Sequence, residues 1–203
     1  MSRRSGDDAR RDLGPHFPEL ARLLDEAYRE FLEKTREFAH KLETGTKASI
    51  IRDLSLRRLR EYCDTAPGAH FFKKGNLSLI CFNNNWVLRI KQLRSGFKVA
   101  VSPTGSSKAY DRNELPTSMA SLLPTEPPAT CLYLGWAVPE NAPSRIQKFV
   151  VCNNEFRELD WALPLDEDGP TPPERLPLPE PPEPPAERNR VRVKEEKKRR
   201  ANE

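Results

Sequence analysis

The sequence predicts an α+β protein, in which N-terminal helices pack on a mostly antiparallel sheet of about six strands over residues 70–163. Two observations support this class. Up to about residue 64, apolar residues recur at three- and four-residue spacing, as they do along one face of a helix. From about residue 70 they alternate with polar residues, which is typical of half-buried strands. Helices followed by strands are characteristic of α+β folds rather than of alternating parallel sheets.

Four segments are predicted along the 203 residues. Residues 1–16 are polar and read as a flexible arm. Residues 17–165 have the length of a single domain. Residues 166–186 form an acidic proline-rich spacer, since ten of the 20 prolines lie between positions 164 and 185. Residues 187–203 form a basic tip, so the C-terminal tail as a whole is predicted to be disordered.

The first predicted helix covers residues 18–43. Pro18 suits a first helical turn, and Gly45 is expected to end the helix. Its apolar stripe packs on the domain's own sheet or, alternatively, on a partner helix. A second helix is expected over residues 47–64, either continuous or broken near Ser55.

The strands are predicted from alternation and from the turns between them. Asn83–Asn85 and Arg94–Gly96 are expected turns, since asparagine and glycine tolerate positive φ. Residues 102–129 form a long connection, with a short helix expected around residues 117–123. The expected strands cover 77–82, 86–91, 97–101, 131–138, 146–152 and 156–163, and Leu159, Trp161 and Leu163 are assigned to the inner face.

The chain lacks the local motifs of common enzyme classes. It contains no GxxxxGK[ST], GxGxxG, HExxH or GxSxG sequence, so no cofactor and no metal site is expected. Two weak acid–base candidates remain. His70 stands at a strand entrance, and Glu158 lies two residues from Asp160 on the last strand. A lone histidine at such a position is more often structural, and Glu158 and Asp160 are more simply explained as carboxylates on a solvated outer face.

The expected location is cytoplasmic. The first 15 residues lack the apolar core of a signal peptide, and no apolar run approaches the roughly 18 residues of a membrane span. No CxxC spacing occurs, so buried free thiols are favoured over disulfides. The four cysteines are Cys63, Cys81, Cys131 and Cys152.

Basic residues form the clearest candidate binding pattern. Arg89, Lys91 and Lys98 are predicted to share the exposed face of one hairpin, where they could contact a phosphate backbone. Trp86 and Phe97 are predicted to point to the opposite face, so base stacking is not expected there. The tail tip carries a second cluster, namely Lys197, Lys198, Arg199 and Arg200. The hairpin cations are more simply explained as part of an ordinary solvated face, and the tail tip is as compatible with a solubilising end as with a binding site.

The preferred hypothesis is a non-enzymatic binding or regulatory protein, with a protein partner expected and nucleic acid as a second candidate partner. The net charge of +4 permits an anionic partner without requiring one. The alternative is a small metal-independent ribonuclease of toxin type, with Arg89, Lys91, His70 and Glu158 as its catalytic set. No membrane partner is expected, and the oligomeric state stays open.

Overall fold

The computed structural model describes residues 3–99, 104–115 and 129–166, and it confirms the α+β class. The predicted tail and the expected helix around 117–123 lie outside the described residues. The helices are α1 (Gly6–Leu13), α2 (Phe17–Thr35), α3 (Thr44–Cys63) and α4 (Gly105–Asp111). The strands are β1 (Ala69–Lys74), β2 (Leu77–Phe82), β3 (Trp86–Arg94), β4 (Lys98–Val99), β5 (Thr130–Ala137), β6 (Gln147–Asn153) and β7 (Leu159–Pro164).

These seven strands form one sheet in the order β1-β2-β3-β5-β6-β7, with β4 paired to the end of β3. All neighbours are antiparallel except β3 and β5, whose parallel register runs from Trp86↔Thr130 to Gln92↔Trp136. The parallel pair results from the crossover between β4 and β5 that contains α4, because parallel neighbours need a long connection. The C-terminal ends of β3 and β5 therefore lie at the same end of the sheet.

Both faces of the sheet are buried, which differs from the predicted half-exposed sheet. Helices α1–α3 cover the face to which Trp86, Leu88 and Ile90 contribute. The opposite face has its own apolar cluster, which includes Val87 of β3 and Tyr110 of α4. Val87 is only 1% exposed, so the predicted solvent face of β3 lies beneath α4 instead. Alternation located the strand correctly but did not reveal the cover on its second face.

The assignment of residues 1–16 to a flexible arm is wrong for the part that the structure describes. Helix α1 begins with a capping box, in which Ser5 and Asp8 bond each other's backbone N–H. Its apolar residues Ala9 and Leu13 have no solvent exposure. The Asp12 carboxylate also accepts a 3.1 Å hydrogen bond from the Trp86 indole. Helix α1 is therefore part of the core.

Helix α2 ends at Thr35, eight residues earlier than the predicted end at residue 43. A turn and a short 3-10 helix follow, and Phe38 is 43% exposed, so its apolar side chain does not extend the core stripe. Helix α3 runs unbroken through Ser55, which is fully buried and bonds the Ile51 carbonyl. Gly45 lies in its first turn rather than ending α2.

A bulge between β6 and β7 changes the predicted face assignment of the last strand. The register shifts between Cys152 and Asn153, which pair with Trp161 and Leu159 respectively. Between these two pairs β7 advances by two residues while β6 advances by one. Leu159 and Trp161 therefore lie on opposite faces of the sheet, although they are two residues apart. Leu159 packs in the second cluster, whereas Trp161 packs on the helix side. The predicted common face is wrong for Leu159.

All four cysteines are free and buried, as the sequence indicated. Burial raises the pKa of Cys63 to about 12 and that of Cys81 to about 11, and it also raises the pKa of Cys131 and Cys152. These thiols stay protonated and unreactive near neutral pH. Among the described residues, no helix is both long enough and apolar enough to cross a bilayer.

Candidate anion-binding site

Three cations meet in a crevice where β2 and β3 separate. The β2–β3 ladder runs from Phe82↔Trp86 to Ile80↔Leu88 and stops there. Beyond it, a space of about 20 Å³ is lined by Arg52 of α3, Ser78 of β2, and Arg89 and Lys91 of β3. This volume holds about one water or one phosphate oxygen. The crevice is thus a polar opening in the sheet, with positive side chains on both sides.

Arg89 is oriented by an aromatic ring beneath it. Its guanidinium carbon lies 5.9 Å from the centroid of the Tyr110 ring, within cation–π range. The Tyr110 hydroxyl lies 2.6 Å from the Leu132 carbonyl and 2.9 Å from the Val87 carbonyl, so the ring is fixed across the β3–β5 junction. The Tyr110 ring contacts the planar face of the Arg89 guanidinium, so the N–H groups at the edge of the guanidinium remain available to other partners.

The helix that carries Tyr110 is fixed by buried polar contacts. The Asp111 carboxylate accepts a 2.5 Å hydrogen bond from the Tyr133 hydroxyl and lies 2.8 Å from Nε of Arg157. Arg3 donates to the Asp111 carbonyl. Just after the helix, the Asn113 side chain bonds both Ala129 O and Cys131 N at the start of β5. Helix α4 is therefore a rigid support for Arg89.

Lys91 is the least compensated cation of the crevice. It is half-buried, and among the described residues no carboxylate pairs with Lys91 or Arg89. Burial, followed by repulsion from Arg89 and Arg52, lowers the pKa of Lys91 to about 8. Arg52 does have an acidic neighbour, since it forms a 2.8 Å ion pair with the exposed Asp53. The positive charge of the site consequently exceeds its negative charge.

The sequence around the crevice carries a signal that strand alternation does not show. Between Asp64 and Asp111 there are seven lysines and arginines and no aspartate or glutamate. Elsewhere the two signs are interspersed, so this segment is the one long stretch of unmixed positive charge within the predicted domain. Arg52 was not a candidate on sequence grounds, because only tertiary packing brings α3 to the opening between β2 and β3.

We expect Lys91 to titrate near pH 8 in the folded protein, well below the ordinary pKa of a lysine side chain. Because the unfolded chain binds more protons than the folded chain between about pH 8 and 10.5, Lys91 contributes a rise in stability over that range. Side-chain NMR, assigned with a Lys91→Arg variant, measures the pKa directly. Millimolar inorganic phosphate should raise this pKa if an anion enters the crevice. A titration above pH 10 in the absence of phosphate would contradict the expectation.

The structure does not bring the other predicted site residues to this crevice. Lys98 is exposed on β4, and Glu158 is exposed beside β7, where it accepts a 2.9 Å hydrogen bond from Asn154. His70 is exposed on β1. Since β1 and β7 are the two ends of the strand order, His70 and Glu158 are separated by five strand spacings, or roughly 24 Å. Lys197, Lys198, Arg199 and Arg200 lie outside the described residues.

A larger concavity, of about 770 Å³, lies between α2 and the β5–β6 connection. The buried Lys148 lines it and forms ion pairs with Asp25, at 2.6 Å, and Asp166, at 3.0 Å. Tyr28 donates a 2.6 Å hydrogen bond to the Pro143 carbonyl across the same region. Arg29 and Arg145 also line the concavity, so its lining has three cations against two carboxylates, and both carboxylates pair with Lys148. These contacts tie α2, β6 and the residues after β7 together.

Within the described ranges, no group of three histidine, cysteine, aspartate or glutamate side chains is arranged to hold a metal ion. Comparison with known proteins adds no further assignment. No protein family, no curated protein and no solved structure matches the chain.

Proposed function

We propose that the protein is a non-enzymatic nucleic-acid-binding protein that contacts the phosphate backbone through the crevice between β2 and β3. One observation carries the proposal. Arg52, Arg89 and Lys91 converge on a single opening, and the described residues provide no carboxylate for Arg89 or Lys91. Like charges held together in a partly buried place are unfavourable without a counter-charge. An anionic ligand supplies that counter-charge.

The chemistry of the crevice suits a phosphodiester oxygen. Arginine offers several N–H donors in a fixed plane, and Lys91 adds a compact charge beside it. Asn76 and Ser78 place neutral polar groups at the same opening. The limited volume admits an oxygen atom rather than a base or a sugar. The ligand therefore stays outside the sheet and projects one anionic group into it.

Binding of this kind is expected to depend on salt and to show little sequence preference. Contacts to phosphates position a nucleic acid without reading its bases. Neither Trp86 nor Phe97 offers a stacking surface, because Trp86 is fully buried and Phe97 packs edge-on against Phe149, with 4.8 Å between the ring centroids. A positive site without stacking partners binds chiefly through counterion release.

The alternative of a ribonuclease lacks a catalytic arrangement around the crevice. General acid–base catalysis needs both proton-transfer groups within hydrogen-bond reach of one substrate. His70 and Glu158 are at opposite edges of the sheet, so they cannot act on a single phosphodiester. The geometry therefore favours binding over cleavage.

The test is a double variant, Arg89→Gln/Lys91→Gln, in the full-length chain. Affinity for labelled RNA and duplex DNA of mixed sequence is measured by fluorescence anisotropy at four salt concentrations. Each phosphate contact contributes about 0.9 to the salt slope on duplex DNA, so the variant should reduce the slope by about 2 and weaken binding at least tenfold.

The control is Arg10→Gln/Arg112→Gln, which removes the same charge from two exposed positions. Arg112 directly follows α4 and is not among the residues that line the crevice. Equal effects of the two double variants would overturn the assigned site. A third chain, with Lys197, Lys198, Arg199 and Arg200 changed to glutamine, measures the part of the affinity that comes from the tail. Intact RNA in both chelator and magnesium is also expected, and cleavage would revive the ribonuclease hypothesis.

A further inference from the structure

Strand β1 is an edge strand of the sheet. It stands at one end of the strand order, and it pairs with β2 along its full length, from Ala69↔Phe82 to Lys74↔Leu77. In the part of the chain that the structure describes, no strand pairs with its other side. Unpaired edges readily accept an added strand, and proteins usually protect them.

The register determines which peptide groups face outward. The N–H of Asn83 donates to the Gly68 carbonyl, so this cross-strand pair is of the hydrogen-bonded type. Hydrogen-bonded and non-bonded pairs alternate along an antiparallel ladder. The even-numbered residues of β1 therefore bond to β2, whereas Phe71 and Lys73 direct both N–H and C=O away from it. Ala69 belongs to the same set, but its N–H already donates to Ala66 O.

A groove runs beside this free edge. It has a volume of about 460 Å³, and it is lined by β1 on one side and, on the other, by Arg60 and Cys63 of α3 and by Asp64 just after this helix. Phe71 lines it and packs partly on the helix-side core, so the groove has an apolar floor next to the open backbone. Its volume falls in the range of peptide- and ligand-sized sites.

The charges beside the groove select the kind of strand that fits. The lining includes two exposed cations, Arg60 and Lys73, and a single carboxylate, Asp64. A second copy of the chain would bring its own Lys73 and Arg60 to the same edge, and this repulsion disfavours pairing of two β1 strands. An acidic segment has no such penalty.

We propose that the free edge of β1 is a docking site for an extended acidic segment of a partner protein, which adds to the sheet as a further strand. The backbone groups of Phe71 and Lys73 supply the ladder bonds. Arg60 and Lys73 attract acidic side chains at alternate positions, and Phe71 takes an apolar residue between them. This site is separate from the anion-binding crevice and does not depend on it.

The proposal is tested with full-length protein and a displayed library of random 12-residue peptides. Selected sequences should be acidic, free of proline at their centre and alternating in polarity. Amide hydrogen exchange measured by NMR then shows which residues of β1 pair with the bound peptide. Binding of a selected peptide should protect the amides of Phe71 and Lys73, while His70 and Phe72 are protected with or without peptide.

A charge-reversal variant, Arg60→Glu/Lys73→Glu, should weaken binding of the selected acidic peptides at least tenfold and select basic peptides from the same library. The matched control, Arg10→Glu/Arg112→Glu, changes the charge equally and should leave affinity unchanged. The proposal is overturned if the library yields no binder, if selected peptides are not acidic, or if bound peptide leaves Phe71 and Lys73 exchanging freely. Concentration-dependent dimerisation with protection of the same amides would assign the edge to a second copy instead.

Discussion

Replacing Leu13 by alanine is expected to lower the free energy of unfolding by about 3 kcal/mol. The Leu13 side chain has no solvent exposure, and α1 is tied to the sheet on several sides. A Cβ at Gly6 would stand 3.5 Å from the Trp161 ring, and Arg4 donates a 3.0 Å hydrogen bond to Asn85. Because these contacts prevent the surroundings from closing around the missing methyl groups, the cost includes both the lost transfer free energy of those groups and the cost of the cavity that remains.

Urea unfolding followed by tryptophan fluorescence measures this change. The matched control is Phe156→Ala, which truncates a side chain that is 75% exposed and should alter stability by less than about 0.5 kcal/mol. If residues 1–16 behaved as a flexible arm, Leu13→Ala would be as neutral as Phe156→Ala. That result would contradict the packing of α1 into the core.

The second large effect is expected at Asp111. Its side chain is 2% exposed, accepts the Tyr133 hydroxyl and faces the Arg157 guanidinium. Removing one member of a buried charged pair typically costs about 3–5 kcal/mol, because the other member is left uncompensated. Arg157 is 32% exposed and can turn toward water, so we expect Asp111→Ala to cost about 2–3 kcal/mol.

Asp111→Asn is the informative comparison. The amide oxygen still accepts from Tyr133, so the hydrogen bond survives while the charge is lost, and the cost should be about 1 kcal/mol. Adding Tyr133→Phe to Asp111→Ala should cost less than the sum of the two single changes, because both remove the same hydrogen bond. Strict additivity in equilibrium unfolding would show that Asp111 and Tyr133 do not interact.

Asp111 also links stability to the candidate site. It anchors the last turn of α4, and the preceding residue Tyr110 supports the Arg89 guanidinium. Loosening α4 therefore frees Arg89 to adopt other rotamers. The affinity of Asp111→Ala for nucleic acid should fall at temperatures where the variant is still folded, which separates loss of support from loss of the fold.

Local chemistry was sufficient to locate most elements. The three-and-four spacing of Leu20, Leu24 and Phe31 placed the start of α2 within one residue, because the period is fixed by helix geometry. Asn83–Asn85 forms the expected turn, with Asn83 and Asn84 at positive φ, because asparagine tolerates that conformation. The same patterns could not place α1, which has only two buried apolar residues. The Ser5–Asp8 spacing was its one local signal.

The candidate site was only partly accessible from the sequence. Alternation placed Arg89 and Lys91 on one side of β3 but predicted a solvated face, whereas Val87 on that side is buried in the second cluster. Arg89 lies over the Tyr110 ring of α4, a helix in the crossover before β5. Arg52 joins them from a helix that is distant in sequence. The periodicity of apolar residues along the sequence does not predict contacts between distant segments, because those contacts depend on how helices and strands pack.

The sequence by itself determined the α+β class with helices before strands, the buried thiols and a long stretch of unmixed positive charge, because each follows from local period, composition or the chemistry of single residues. The tertiary structure alone decided that both faces of the sheet are covered, that α1 belongs to the core, that the three cations share one crevice and that β1 keeps an open edge. These features depend on which distant segments bury apolar surface against each other, and that choice is made by the packing of the whole chain.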